Sequence, residues 1–100
     1  MNAQSAKGLI DYSEKAIVSK QLLKKPNGNV TLFAFDTNEQ LSEHTSPFDA
    51  LVMIVDGIME IGIGDEKVIA EEGEIVNLPA NIPHSLLAVQ PSKMILIMIK

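Results

Sequence analysis

Two histidines, His44 and His84, are the side chains best suited to chemistry at neutral pH in this chain. An unperturbed imidazole titrates near pH ~6.5, so it can transfer a proton, bind a metal ion or hydrogen-bond a ligand. His84 lies in the stretch Gly73 to Ala88 and directly follows Pro83, whose fixed φ gives the chain a defined direction. The sequence therefore predicts that His84 is a positioned side chain.

Each histidine also has an interpretation that involves no function. His84 could be a hydrogen-bonded residue of the core. His44 lies between Glu43 and Thr45 and could equally be an exposed loop residue. The sequence leaves both interpretations open.

Other arrangements that bind or catalyse are missing from the sequence. The chain has no cysteine, which excludes disulfides, thiolate metal sites and cysteine nucleophiles. No Ser or Thr lies in a nucleophile elbow, and Gly62 and Gly64 lie in a hairpin without the helix of a dinucleotide-binding loop. All the basic residues are Lys and the net charge is −5, which argues against a nucleic-acid partner because phosphate and guanine contacts favour Arg.

The length of 100 residues suits one domain with one hydrophobic core. We expect an N-terminal arm over residues 1–15, with at most a short helical turn or an edge strand, and a single domain over residues 16–100. The arm lacks the apolar segment of a signal peptide, and no apolar run reaches the ~18–20 residues of a membrane span. We therefore expect a cytoplasmic protein without a membrane partner.

Short apolar, often β-branched runs between turn residues predict an all-β domain. Strands are expected at 16–23, 30–35, 50–55, 58–63, 67–70, 75–78, 85–89 and 94–99. Residues 36–43 are polar and predict a loop or a solvated strand. Turn signals at this density are typical of a sandwich or barrel.

The last of these strands, Met94 to Ile99, is apolar on both faces. A strand that covers a single core needs only one apolar face, so another surface must cover the second. The other sheet or a second subunit would provide this cover. We therefore predict a homodimer.

The spacing around His84 resembles the second motif of the cupin superfamily, G-x5-P-x-G-x2-H-x3-N. Gly73, Pro79 and His84 occupy motif positions, whereas Asn81 replaces a glycine and Ala88 replaces the final asparagine. After glycine, asparagine best tolerates left-handed backbone geometry, so the turn is preserved.

The first cupin motif, G-x5-H-x-H-x3,4-E-x6-G, aligns more loosely. His44 falls on its first histidine and Gly57 on its final glycine. Three other positions differ, with Asn38 in place of the opening glycine, Ser46 in place of the second histidine and Ala50 in place of the glutamate. The resemblance spans residues 30–100 and is to small bacterial-type cupins in which part of the metal motif has been lost.

The resemblance implies a cupin-type double-stranded β-helix, a jelly-roll barrel of about 8–10 short antiparallel strands. It also places His44 and His84 in one cavity. We expect a small organic molecule to bind there through the two histidines and Ser46, with Val52 and Ile54 forming an apolar wall. A regulatory ligand-sensing module is not distinguishable from this function by sequence.

The alternative is a metal-dependent cupin enzyme of the dioxygenase or isomerase type. Asp49 could join His44 and His84 to hold iron, nickel, manganese or zinc. A regular strand, however, points position 49 away from the face that bears Ala50, so this site needs a bulge.

A third candidate is metal-free proton transfer, as in the sugar epimerases of the same superfamily. Those enzymes pair a histidine base with a tyrosine. The single tyrosine here is Tyr12, in the N-terminal arm.

Overall fold

A computed structural model describes residues 2–100 as nine strands and one short 3-10 helix, Lys7–Leu9. The strands are β1 (Ile17–Lys25), β2 (Gly28–Phe35), β3 (Gln40–His44), β4 (Asp49–Asp56), β5 (Ile58–Ile63), β6 (Glu66–Glu71), β7 (Ile75–Leu78), β8 (His84–Ala88) and β9 (Ser92–Ile99). Over residues 2–100, no helix has the length and apolar character needed to cross a membrane.

The strands form two antiparallel sheets that pack face to face. The five-stranded sheet has the order β1-β2-β9-β4-β7, and the four-stranded sheet has the order β3-β8-β5-β6. Strands that are neighbours in sequence thus often lie in different sheets, as in a jelly roll. The predicted all-β jelly roll of 8–10 short strands is confirmed.

Two turns depend on left-handed backbone geometry. Gly57, between β4 and β5, has φ +83°, and a Cβ there would lie 2.8 Å from the Cα of Ser92. Asn81, in the loop before β8, has φ 66°, which agrees with the tolerance expected of asparagine. Both residues therefore help to position the strands that follow them.

The core fills the space between the two sheets. Alternation in β4 directs Ala50, Val52 and Ile54 inward, and all three are buried. They pack in one apolar cluster with residues of the opposite sheet, including Met59, Ile61 and Leu86. Burial of this continuous apolar surface is the main stabilising contribution to the fold.

The outer face of the five-stranded sheet is partly covered by the N-terminal residues. Ile10 is buried in a second apolar cluster with Leu32 and Ala34, and Ile95 of β9 packs against it. The sequence suggested the other sheet or a second subunit as the cover for β9. At Ile95 the cover is instead the protein's own N-terminal segment, because residues 2–15 fold back onto this face.

Polar contacts hold the N-terminal segment in place. The Nζ of Lys93 donates to the carbonyl of Lys7 over 2.7 Å and lies 4.7 Å from the centre of the Tyr12 ring. The hydroxyl of Tyr12 donates to the Asp56 carboxylate over 2.6 Å. Burial, together with this carboxylate, raises the pKa of Tyr12. Tyr12 is therefore engaged on the outer face of the sheet, which does not support a role for it beside the histidines.

Candidate functional site

The two histidines meet across neighbouring strands. His44 is the last residue of β3 and His84 is the first residue of β8. They are opposite each other in the antiparallel ladder, and their ring centres are 4.3 Å apart with the planes at 72°. Two residues distant in sequence thus form one imidazole pair at the end of the four-stranded sheet.

A β-bulge in β3 sets the direction of His44. Leu41 pairs with Leu86 and His44 pairs with His84, so three steps along β3 match two steps along β8. Leu41 packs against the core, and strict alternation from it would point position 44 outward. The extra residue reverses the alternation, so His44 faces the same side of the sheet as His84.

The two rings differ in their exposure. Residues of β8 alternate, with His84, Leu86 and Ala88 buried. Only 7% of the His84 surface is exposed, whereas His44 is exposed. The imidazole pair is therefore closed on the side of His84 and open to solvent on the side of His44.

The loop that precedes His84 is fixed by backbone hydrogen bonds. The carbonyl of Pro83 accepts from the N–H of Gly64 over 2.8 Å, and the N–H of Asn81 donates to the carbonyl of Ser46 over 2.7 Å. These bonds attach the loop to the β5–β6 turn and to the segment after β3. The backbone on both sides of the imidazole pair is thereby connected.

Backbone carbonyls determine which ring nitrogens carry protons. Nδ1 of His44 lies 2.8 Å from the carbonyl oxygen of Ser42, and Nδ1 of His84 lies 3.3 Å from that of Ile82. A carbonyl oxygen only accepts, so in the neutral form of each ring the proton lies on Nδ1 and Nε2 carries the lone pair.

The environment of His84 disfavours its charged form. Burial is the main cause of its lowered pKa, and the proximity of His44 adds to it, while the Ile82 carbonyl acts in the opposite direction. The ordinary value is 6.5, so His84 is neutral at pH 7. Its Nε2 can accept a hydrogen bond or a proton.

The other predicted site residues have different surroundings. Ser46 is half-buried, and its Oγ accepts from the N–H of Phe48 over 3.2 Å. Val52 and Ile54 are fully buried in the core between the sheets. They therefore support the fold, and their side chains do not form the open apolar wall that was expected to contact a ligand.

Asp49 points away from the core, as regular alternation predicts. Its Oδ1 accepts from the N–H of Ala80 over 2.9 Å, and the pairing of β4 with β9 is regular from Asp49 to Ile54. The bulge that a ligand role for Asp49 requires is therefore not present. Over residues 2–100, no group of three or more His, Asp or Glu side chains is arranged to hold a metal ion.

Sequence reasoning missed one neighbour of the imidazole pair. Ile63, the last residue of β5, is the partner of His84 on the side opposite His44. Its strand was predicted, but the partner of a residue depends on strand order and register, which the sequence does not show.

The model of the cupin domain family matches residues 31–100. The chain belongs to the cupin family. The match covers more than half of the sequence and confirms the resemblance to small bacterial-type cupins. No curated protein matches this cupin.

Solved structures with the same fold include proteins from several bacteria. A conserved protein of unknown function from Streptococcus pyogenes is 30% identical, with a TM-score of 0.95 over 99% of this cupin and 87% of that chain. A Cupin 2 conserved barrel domain protein from Leptotrichia buccalis is 38% identical, with a TM-score of 0.88 over 94% of this cupin and 46% of that chain. A cupin superfamily protein from Desulfitobacterium hafniense is 24% identical, with a TM-score of 0.94 over 98% and 90%, and supports the fold alone.

Proposed function

We propose that this cupin binds a small organic molecule against the imidazole pair of His44 and His84. The observation that supports the proposal is the contact between the two rings, each with its Nδ1 engaged by a backbone carbonyl. Each Nε2 lone pair of this pair can accept one hydrogen bond from a ligand hydroxyl group. The exposed side of His44 gives a ligand access to the pair.

Replacing His84 by Phe tests this proposal, because Phe keeps a buried ring and has no hydrogen-bond acceptor. A metabolite panel is screened for compounds that raise the melting temperature of the wild type. We expect the compounds that stabilise the wild type to lose about 1–3 kcal/mol of binding energy in His84→Phe, because a hydrogen bond to a buried acceptor is lost. Lys20→Gln, on the exposed part of β1, is the control and keeps the full stabilisation. Equal shifts in all three proteins would count against the proposal.

The alternative function, a metal-dependent enzyme, fits these residues less well. Catalytic metal sites usually take three protein ligands, and the side chains present supply two imidazoles. The methyl group of Ala50, which is buried, occupies the position where the family motif has a glutamate. We assign no catalytic step to a metal.

Elemental analysis of protein purified without chelators tests that alternative. We expect sub-stoichiometric iron, nickel, manganese and zinc after dialysis, since two ligands give a weak site. One tightly held metal ion per chain that is lost in His84→Gln would favour the metal-dependent enzyme.

We also propose that the protein forms a homodimer through the outer face of its five-stranded sheet. Leu23, Val30, Ile97 and Leu51 are successive cross-strand partners on this face. Leu23 and Leu51 are exposed. This row carries no charged side chain, so it gives two copies of a chain with net charge −5 an apolar surface on which to meet.

Sedimentation equilibrium of charge variants tests the dimer. We expect a mass of two chains for the wild type and of one chain for Leu51→Lys, because a buried unpaired ammonium strongly disfavours association. Leu87→Lys, on the outer face of the other sheet, should remain dimeric. A monomeric wild type, or a Leu51→Lys variant that stays dimeric, would contradict this interface.

The cytoplasmic location and the boundary at residue 15 stay predictions.

A further inference from the structure

The two sheets leave an opening between β6 and β7. These strands are edges of different sheets and do not pair with each other. Between them lies a hollow of about 360 Å³, with Val68, Ala70 and Val76 among its lining residues. All three pack on the core. The opening therefore reaches the apolar interior from outside the barrel.

The rim of the hollow is also apolar. Ile69 is 59% exposed and Ile75 is 63% exposed, and both belong to its lining. A contiguous apolar surface around an opening can mark a binding site. A volume of about 360 Å³ lies at the lower end of the ~300–1,000 Å³ that is usual for small-molecule pockets.

The hollow connects to the imidazole pair through Ile63. Ile63 lines the hollow and is the cross-strand partner of His84. Opposite residues of an antiparallel pair have Cβ atoms ~4.5–5.5 Å apart on the same face. His44, His84 and Ile63 thus form one row across the sheet, with polar rings at one end and the apolar hollow at the other.

The charges that line the hollow favour a neutral ligand. Glu74 is the one charged residue in the lining of the hollow, and no Lys contributes to it. The Oε1 of Glu74 already accepts from the N–H of Glu71 over 2.7 Å. A carboxylate ligand would find no cation in the hollow, whereas a hydroxyl group can donate to the Nε2 lone pairs.

We propose that the hollow between β6 and β7 binds the apolar part of a neutral amphipathic alcohol or phenol whose hydroxyl group donates to the imidazole pair. This inference rests on the proposed function, since it assigns the polar end of the ligand to the same histidines. It adds a second part to the site and a chemical class for the ligand. A second copy of the chain that covers Ile69 and Ile75 is the competing occupant.

Three probes at neutral pH test the inference: 4-butylphenol, phenol and 4-butylbenzoate. Binding is followed by NMR on the isoleucine methyl groups and the histidine ring nitrogens. We expect 4-butylphenol to shift Ile63 and His84 together and to bind about tenfold more tightly than phenol, because its tail is buried in the hollow. The benzoate, with the same tail and an anionic head, should bind more weakly than 4-butylphenol.

Three variants separate the parts of the site. Val68→Phe, which fills the hollow, should lower the affinity for 4-butylphenol to about that for phenol and leave phenol binding unchanged. Ile75→Lys changes an exposed side chain, so it should fold normally, and it should weaken 4-butylphenol in the same way. His84→Phe, which removes the acceptor, should weaken both phenols.

The outcomes distinguish the two proposals. Equal affinity for phenol and 4-butylphenol, with both compounds shifting the His84 signals, would overturn the role of the hollow in binding. It would leave the proposed function standing. Absence of any shift at His84 with all probes would overturn both. If Ile69→Lys, on β6 and outside the five-stranded sheet, converts a dimer to a monomer without affecting 4-butylphenol, the rim is an interface between copies and the inference is wrong.

Discussion

The wild-type protein is expected to lose stability as the pH falls below 6.5, and His84 is the cause. Its pKa in the folded protein is lowered from 6.5, first by burial and then by His44. The neutral form is therefore favoured by folding, and its stabilising contribution is fully present above pH 6.5. That contribution is lost as the pH falls through the folded pKa, because the unfolded state binds the proton more tightly.

Urea unfolding of the wild type and His84→Gln measures this contribution. The free energy of unfolding should decrease as the pH is lowered in the wild type, and it should change much less in the variant. Asp36 does not interfere in this window, because N–H donors of Lys15 and Thr37 lower its pKa from 3.8 and its contribution is lost only in more acidic solution. An unchanged pH dependence in His84→Gln would show that His84 titrates as if it were exposed.

Replacing His44 by Glu is expected to reverse the pKa shift of His84. The rings are 4.3 Å apart, and a carboxylate at this position favours the imidazolium form, so we expect the pKa of His84 to rise above the ordinary 6.5. The sign of the linkage then reverses. Stability from His84 is fully present below pH 6.5 and is lost as the pH rises through the raised pKa.

His44→Gln is the matched control for this change. It removes the imidazole without adding a charge, so burial still holds the pKa of His84 below 6.5. The pKa of His84 is followed by NMR titration in both variants. Equal pKa values for His84 in His44→Glu and His44→Gln would contradict the contact between positions 44 and 84.

Much of the fold could be predicted from local chemistry. β-branched runs and their turns indicated eight of the strands to within a few residues, and Asp56-Gly57 marked the hairpin between β4 and β5. The turn tolerance of Asn81 was also predictable, since its φ of 66° depends on its own side chain. These features arise from short stretches of chain and need no knowledge of distant partners.

Other features depend on long-range pairing and could not be predicted. Residues 36–43 indicated a loop or a solvated strand, and it is pairing with β8 that selects the strand at Gln40–His44. The bulge after Leu41 is set by register, and register decides which face His44 occupies. The cover that Ile10 provides over Ile95 likewise arises because the arm folds back, which no local pattern of residues 1–15 indicates.

The candidate site could be predicted only in part, because some of its features also depend on long-range pairing. The motif spacing suggested that His44 and His84 belong to one site, and the structure brings their rings into contact. Ile63 and the hollow between β6 and β7 were not predicted, because they depend on which strand edges lie beside each other. The position of Asp49 agreed with simple strand alternation.

The most direct test of the account is the 15N NMR spectrum of the two histidine rings at neutral pH, with and without 4-butylphenol. We expect both rings to carry the proton on Nδ1, and we expect the Nε2 signals of both to move together when the compound binds. A proton on Nε2 of His84, or a ligand that stabilises the protein without moving either ring, would contradict the assignment of the imidazole pair as the binding site.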